Sequence, residues 1–320
     1  MTSLIALDWG TTALRAYRMV ENGIVSEQRT LPHGIMKLPD APDREQGFRQ
    51  AFELACGDWL ASEPDCPTIA CGMIGSAQGW RPAPYLDAPC DASQLAGQLT
   101  RVDINAHQHF FIIPGVKVSG ALPEVMRGEE TQVFGALSGD TSLHTGMSQQ
   151  GESMIALPGT HSKWVNVAQN HISGFRTFMT GDLYDVLSHH SILGVTMQHP
   201  GAPDWEAFAE GVNVAGQREN SGNLLGTLFS VRTRLLCQQL TPSQQPDYLS
   251  GLLLGSELTT ILASLKAAEN MSITLIGADA LCQRYLRALD LLNCRNPVHI
   301  ARGAAEQGMW KIAQYAGLIN

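Results

Sequence analysis

Two short stretches of this chain share a layout that few folds accommodate. Leu7–Arg15 reads LDWGTTALR and Leu157–Trp164 reads LPGTHSKW. Each ends an apolar run in Gly-Thr and then resumes a strand-like pattern. Each also opens a longer block in which strands come first and helices follow. Residues 4–8, 13–20 and 24–31 alternate apolar and polar side chains, with Glu21-Asn22-Gly23 as a turn signal. They predict an antiparallel meander. A helix follows over 44–62, with Asp43 as its N-cap, then the buried strands TIACGMIGS and FFIIPGV and a helix beginning GEET. From Ser153 the layout restarts: strand, Gly-Thr loop, strand, turn, strand. Helical patterns cover 181–193, 204–218, 224–240 and 246–269, and SITLIGAD, ALCQRYLRALDLL, VHIA and a last helix near 303–316 complete the chain. The expectation is an α/β chain of two similarly built halves, 1–140 and 141–320, with a hinge between Gly135 and Gly151.

Asp8 raises the chemical question. A carboxylate at the end of a buried strand is costly unless an ionic or hydrogen-bonding partner meets it. Gly10 admits close approach of a ligand to the backbone, and Thr11 and Thr12 offer hydroxyl and N–H groups to phosphate oxygens, with Arg15 nearby on the next strand. An Asp beside phosphate calls for a cation between them, which implies Mg²⁺. Asp8 could instead simply cap a Gly-Thr turn. The second loop weighs against that alternative, because two such loops, one opening each half, can close on a triphosphate from opposite sides. Neither loop is a Walker P-loop, and no G-x-G-x-x-G follows a strand.

Composition excludes other classes. The 320 residues carry a net charge of −9 with no offsetting Lys/Arg cluster, which argues against nucleic-acid or anionic-membrane partners. The N-terminus lacks a signal-peptide pattern, and no stretch reaches the roughly 18 uninterrupted apolar residues of a membrane helix. A cytoplasmic protein is expected. The seven cysteines form no CxxC pair and read as reduced thiols. His107-Gln108-His109 could chelate a metal but lacks companion ligands, and His189-His190 sits in a helical pattern at the surface.

LDWGTTALR resembles the first phosphate motif of the sugar-kinase, Hsp70 and actin superfamily. PGTHSKW resembles the second, and LIGADAL (Leu275–Leu281) resembles the adenosine motif. The combination of MRGEETQ, PGTHSKWV, FRTFMTGDLY and GMIGSAQGWRPAPYL narrows the resemblance to the 2-dehydro-3-deoxygalactonokinase family, over nearly the whole chain. That resemblance implies a two-domain actin-like ATPase fold, ribonuclease H-like in each half, with a central interdomain cleft. It implies phosphorylation of 2-dehydro-3-deoxy-D-galactonate on its 6-hydroxyl by Mg-ATP, in galactonate catabolism. Asp8 would hold Mg²⁺; Gly10, Thr11, Thr12 and Arg15, with Gly159, Thr160 and Lys163, would meet the phosphates; Gly277 and Ala278 would line the adenosine site.

Related sugar kinases place an Asp at the start of the first connecting helix. This chain has Gly128-Glu129-Glu130-Thr131 there, so Glu129 and Glu130 are the candidate bases and the choice between them stays open. Acids in a first helical turn are also favoured by the helix dipole alone. Gly75, Ser76, Gly79 and Trp80 stand where related kinases contact sugar, and Arg81 or Arg127 would face the substrate carboxylate. Trp80 could equally pack a loop. Arg176 and Asp182 are further substrate candidates. The rival expectations are a kinase of another sugar or sugar acid, such as 2-dehydro-3-deoxygluconate or a pentulose, and a non-enzymatic ATP-driven clamp or sugar sensor. The oligomeric state stays open, with a homodimer the ordinary expectation.

Overall fold

The computed structural model describes residues 3–105, 108–138, 152–265 and 271–320. The centre of the expected hinge, and His107, lie outside them.

The meander forms as expected, though β1 is buried on both faces and does not alternate. Strands β1 (Leu4–Trp9), β2 (Leu14–Val20) and β3 (Ile24–Leu31) pair antiparallel, and Asn22 and Gly23 take φ of 64° and 71° in the connecting turn. Helix α1 (Arg44–Ser62) starts where the Asp43 side chain accepts from the Gln46 N–H, then returns the chain to β4 (Thr68–Gly72), parallel to β1. Strand β5 (Tyr85–Asp87), helix α2 (Ala92–Ala96), β6 (Thr100–Asp103), β7 (His109–Ile112), β8 (Gly115–Val118), β9 (Glu124–Met126) and helix α3 (Glu129–Ser138) follow. The first sheet runs β3-β2-β1-β4-β7-β6, and β5-β8-β9 form a small separate sheet. That small sheet had no clear signature in the sequence, since its three-residue outer strands are too short to show a period.

The second block repeats the plan. β10 (Glu152–Leu157), β11 (Ser162–Ala168) and β12 (His171–Phe178) form a meander, and β13 (Ser272–Ile276) lies parallel to β10 in a sheet of order β12-β11-β10-β13-β14, with β14 at Val298–Ala301. A meander joined through its first strand to a parallel strand occurs in both sheets. This is the α/β, actin-like arrangement that the resemblance implied. Helices α4 (Thr180–His190), α5 (Trp205–Gly216), α6 (Leu224–Leu228), α7 (Ser230–Leu236), α8 (Gln245–Leu265), α9 (Asp279–Leu291) and α10 (Ala304–Tyr315) complete the chain. By length and composition α8 could cross a membrane. Here Tyr248, Leu249, Leu252, Leu253, Leu254 and Leu258 on it are core residues.

The expected division at residue 140 is corrected in its details. The compact units are Met1–Glu152 with Val165–Phe175 and Ala301–Asn320, and Ser153–Trp164 with Arg176–Ile300. The last helix belongs to the first unit because α10 crosses α3 through glycines. A Cβ on Gly135 would meet the Ala304 carbonyl oxygen at 1.8 Å, and one on Gly308 would meet that of Thr131 at 1.9 Å. Only backbone-to-backbone packing fits there.

The first unit's core gathers Trp9, Phe48, Phe52, Trp80 and Phe110 between α1 and the sheet. The second unit has two cores: Trp164, Phe208, Ile273, Leu275 and Tyr285 pack with the C-terminal part of α8, and Val231 and Leu240 with Tyr248 and Leu249 in its N-terminal part.

Candidate active site

In the first unit, Asp8 and Arg15 are direct cross-strand partners, and Arg15 Nη1 donates to Asp8 Oδ2 at 3.0 Å. The Asp8 side chain is 13% exposed and that of Arg15 50%. Burial raises the Asp8 pKa against the opposing pull of Arg15. The Gly-Thr-Thr loop closes with Gly10 N–H donating to the Ala13 carbonyl at 2.9 Å, leaving the Thr11 and Thr12 side chains exposed. A neighbouring turn fixes this loop: Ile35 and Met36 N–H groups donate to the carbonyls of Gly10 and Thr11. Gly34 makes that approach feasible, since a Cβ there would lie 2.3 Å from the Thr12 nitrogen.

Glycines also bring the acid pair to this strand end. Gly72 ends β4 with φ of 90°, and Gly128 precedes α3 with φ of 110°. A Cβ on Gly128 would come within 3.1 Å of the Gly72 Cα. The two acids that follow differ sharply. Glu130 is fully buried, both its oxygens accept from the Gly128 N–H (2.9 and 2.8 Å), and Thr131 Oγ1 donates to it. Burial, with the Glu129 charge beside it, pushes the Glu130 carboxyl up to about 8. Glu129 is only half-buried, and its Oε2 accepts from the Arg127 N–H at 2.9 Å. Cys71 lies between the groups: Sγ is 4.0 Å from Asp8 Oδ1, and the charges of Asp8, Glu130 and Glu129 add to burial in pushing its thiol up.

Arg127 is 8% exposed. Its guanidinium lies 4.2 Å over the Tyr85 ring, and Nη2 donates to the Ala83 carbonyl at 2.8 Å. Nη1 has no hydrogen-bond partner among the described residues, and neither has the buried Ser76 Oγ. Gly75 stands beside that free nitrogen, since a Cβ there would be 2.9 Å from it.

Trp80 is corrected outright as a substrate contact. It is 3% exposed, stacks on Phe48 at 5.7 Å, and its Nε1 donates to Glu45 Oε1. The aromatic core claims it, so the packing alternative holds. Gly79 is equally structural, because a Cβ there would collide with the Ile74 carbonyl at 1.9 Å. Arg81 is half-exposed and paired with Glu45 at 2.8 Å.

The second unit presents a cavity of about 350 Å³ lined by Gly159, Thr160, Thr180, Leu281, Arg284 and Tyr285 among others. Gly277 and Ala278 sit exposed at the end of β13 and are not among the lining residues, whereas Leu281, Arg284 and Tyr285 from the helix they introduce are. Lys163 is 5% exposed, and its Nζ donates to the His161 carbonyl at 3.3 Å, so it folds back into the hairpin. Asp182 sits in the first turn of α4, its N–H donating to the Thr160 carbonyl at 2.9 Å and its carboxylate 3.4 Å from His161. Arg176 is exposed on β12 and donates to Ser264 Oγ at 3.3 Å. Neither lines the cavity.

Two further acids carry no signal in the sequence. Glu306 on α10 is raised by burial and further by the Asp8 charge, which places a second carboxylate in the field of the first. Glu257 on α8 is buried among Trp164, Thr180 and Tyr285. No local signal could have found either, since each reaches its neighbours only through long-range packing.

Among the described residues no three His, Cys, Asp or Glu side chains form a metal cage. The donor set still suits magnesium, which takes one or two carboxylates and completes its shell with water and phosphate oxygens. Asp8, largely buried and only partly balanced by Arg15, offers one such carboxylate.

The 2-keto-3-deoxy-galactonokinase family model matches residues 8–312. An Escherichia coli (strain K12) protein named 2-dehydro-3-deoxygalactonokinase is 34% identical over 313 residues, covering 97% of this chain and 97% of its own. A Rhizobium meliloti (strain 1021) protein, provisionally named 2-dehydro-3-deoxygalactonokinase DgoK1, is 32% identical over 319 residues, covering 96% and 97%. A crystal structure from Sinorhizobium meliloti, provisionally assigned the same activity, superposes with a TM-score of 0.81 at 30% identity, covering 97% of this chain and 98% of that one.

Proposed function

The chain belongs to the 2-keto-3-deoxy-galactonokinase family, a family of sugar-acid kinases, and on that premise we propose that it transfers the γ-phosphoryl group of ATP to the 6-hydroxyl of 2-dehydro-3-deoxy-D-galactonate. The product is 2-dehydro-3-deoxy-6-phospho-D-galactonate, and the step belongs to galactonate catabolism. The observation that carries this is the first unit's arrangement. A buried carboxylate at a Gly-Thr-Thr loop, an acid pair opening α3, and a pinned arginine with one free N–H stand in one unit of a chain that matches the family throughout.

Phosphoryl transfer needs positioning, charge neutralisation and a base near the attacking oxygen. Magnesium, when bound, would neutralise phosphate charge, and Asp8 would hold it. Thr11 and Thr12 offer hydroxyls to phosphate oxygens, and Arg15 can pivot between Asp8 and phosphate because half of it is exposed. Gly159 and Thr160 serve the phosphates in the second unit, where the 350 Å³ cavity takes the nucleoside.

Glu129 is the better base. A base must reach the hydroxyl it deprotonates, and Glu129 is accessible whereas Glu130 is sealed with both oxygens bonded to the Gly128 N–H. Glu130 then anchors the Arg127–Gly128 turn on which Glu129 stands. Arg127 Nη1 and Ser76 Oγ meet the substrate carboxylate. A buried guanidinium N–H without an acceptor is costly, and a carboxylate satisfies it by a charge-assisted bond.

A coupled ADP-release assay with Mg-ATP, comparing 2-dehydro-3-deoxy-D-galactonate with its gluconate epimer, tests the proposal. A preference for the galactonate form is expected. Turnover of neither, with nucleotide binding intact, would overturn the substrate assignment.

A further inference from the structure

Beneath the nucleotide cavity of the second unit lies a carboxylate that nothing in the phosphoryl-transfer scheme uses. Glu257 sits mid-way along α8 and is 3% exposed. Its Oε1 accepts from Trp164 Nε1 at 2.6 Å and from the Tyr285 hydroxyl at 2.8 Å, and its Oε2 accepts from Thr180 Oγ1. Ser162 Oγ lies 2.8 Å from the Tyr285 oxygen. Three of these partners, Ser162, Thr180 and Tyr285, line the cavity. They come from β11, from the first turn of α4 and from α9.

A carboxylate is an expensive way to fill a core, and an apolar side chain would pack there at lower cost. What it supplies is direction. Burial raises the Glu257 carboxyl, while the donors Thr180, Trp164, Tyr285 and Ser162 pull it back down. In the ionised form that these donors favour it only accepts, so the protons of Thr180 and Tyr285 are committed to it. With its own proton committed, Tyr285 can only accept from Ser162. All three cavity hydroxyls therefore turn lone pairs, not protons, to whatever enters. Glu257 also fixes a position. Thr180 leads directly into Gly181, where a Cβ would lie 2.5 Å from the Gly159 carbonyl oxygen and 2.7 Å from the Thr160 Cα. The Asp182 N–H then holds the Thr160 carbonyl at 2.9 Å. Anchoring Thr180 thus anchors the Gly159–Thr160 loop.

We propose that Glu257 is a positioning residue for nucleotide binding: it holds the first turn of α4 against the Gly159–Thr160 loop and sets the cavity-lining hydroxyls as acceptors. The inference rests on the cavity being the nucleoside site, and it does not depend on which sugar acid is phosphorylated. Glu257→Gln is the informative change. Its amide oxygen can keep Trp164 and Tyr285, while its NH₂ must donate to Thr180 and so release the Thr180 proton toward the cavity.

Nucleotide affinity is measured by calorimetry with a non-hydrolysable ATP analogue and Mg²⁺, alongside thermal unfolding and separate KM values for ATP and sugar acid. E257Q is expected to unfold within a few degrees of the wild type, bind nucleotide about tenfold more weakly, and raise KM for ATP while KM for the sugar acid holds. Thr180→Val should weaken nucleotide binding similarly. Unchanged nucleotide affinity in a folded E257Q protein overturns the proposal, as does a loss confined to kcat or to thermal stability. Because binding is read without turnover, failure of the galactonate assignment would show separately, as a wild type that binds nucleotide but phosphorylates no sugar acid.

Discussion

Arg15 and Asp8 face each other across the first hairpin at 3.0 Å, one half in solvent and the other almost enclosed. The arginine is thus a movable partner to a fixed carboxylate. Asp8→Asn should leave the fold intact, since the half-exposed guanidinium is solvated when its acceptor weakens. Turnover should fall by at least about 100-fold, the order expected when charge stabilisation of phosphoryl transfer is removed. Steady-state kinetics with circular dichroism checks this, and full activity would sink the assignment of Asp8 to magnesium.

The acid pair separates by exposure. Glu129→Gln should lower kcat by roughly 10²–10⁴-fold, as for loss of a general base, with a small effect on KM. Glu130→Gln should cost less, because its oxygens are spent on the Gly128 N–H. Paired kinetics on the two variants decide it; the opposite order would transfer the role to Glu130.

Glu130 also gives stability a pH signature. Its carboxyl rises from 4.5 to about 8 on folding, so the folded state holds a proton that the unfolded state releases. This group's contribution is therefore full below pH 4.5 and is lost progressively as pH rises through about 8. The Tm difference between E130Q and the wild type should shift in favour of E130Q by several degrees from pH 5 to pH 8. A difference flat across that range would contradict the assigned burial.

Arg127→Met should raise KM for the sugar acid by roughly 10–100-fold, equivalent to a lost charge-assisted bond. KM for ATP should hold. Arg127→Lys should recover little, because an ammonium cannot keep both the Ala83 carbonyl and the stacking on Tyr85. If both Michaelis constants rose together, Arg127 would be a structural residue.

Trp80→Phe should cost about 1–3 kcal/mol of stability by opening space between Phe48 and Phe110, and leave Michaelis constants unchanged. Denaturant melts together with kinetics test this. A raised sugar-acid KM at unchanged stability would restore Trp80 as a substrate contact.

The sequence carried the local decisions. Apolar runs and turn signals mark both meanders, Asp43 marks the start of α1, and the two Gly-Thr loops mark strand ends, because period, capping and turn chemistry act over a few residues. The motifs were enough for the family. Tertiary structure alone decided what each candidate could touch. Trp80 and Arg127 each sit in a motif that resembles the family's, yet packing buries one among aromatics and leaves the other with a free N–H. Glu129 and Glu130 are neighbours with the same side chain, and only the close meeting of Gly72 and Gly128 seals one and spares the other. Glu257 and Glu306 acquired neighbours from segments far away in the chain, through helices brought to the sheets by burial of apolar faces. Burial and long-range partners set a side chain's charge, reach and cost, and these exist only once the chain has folded.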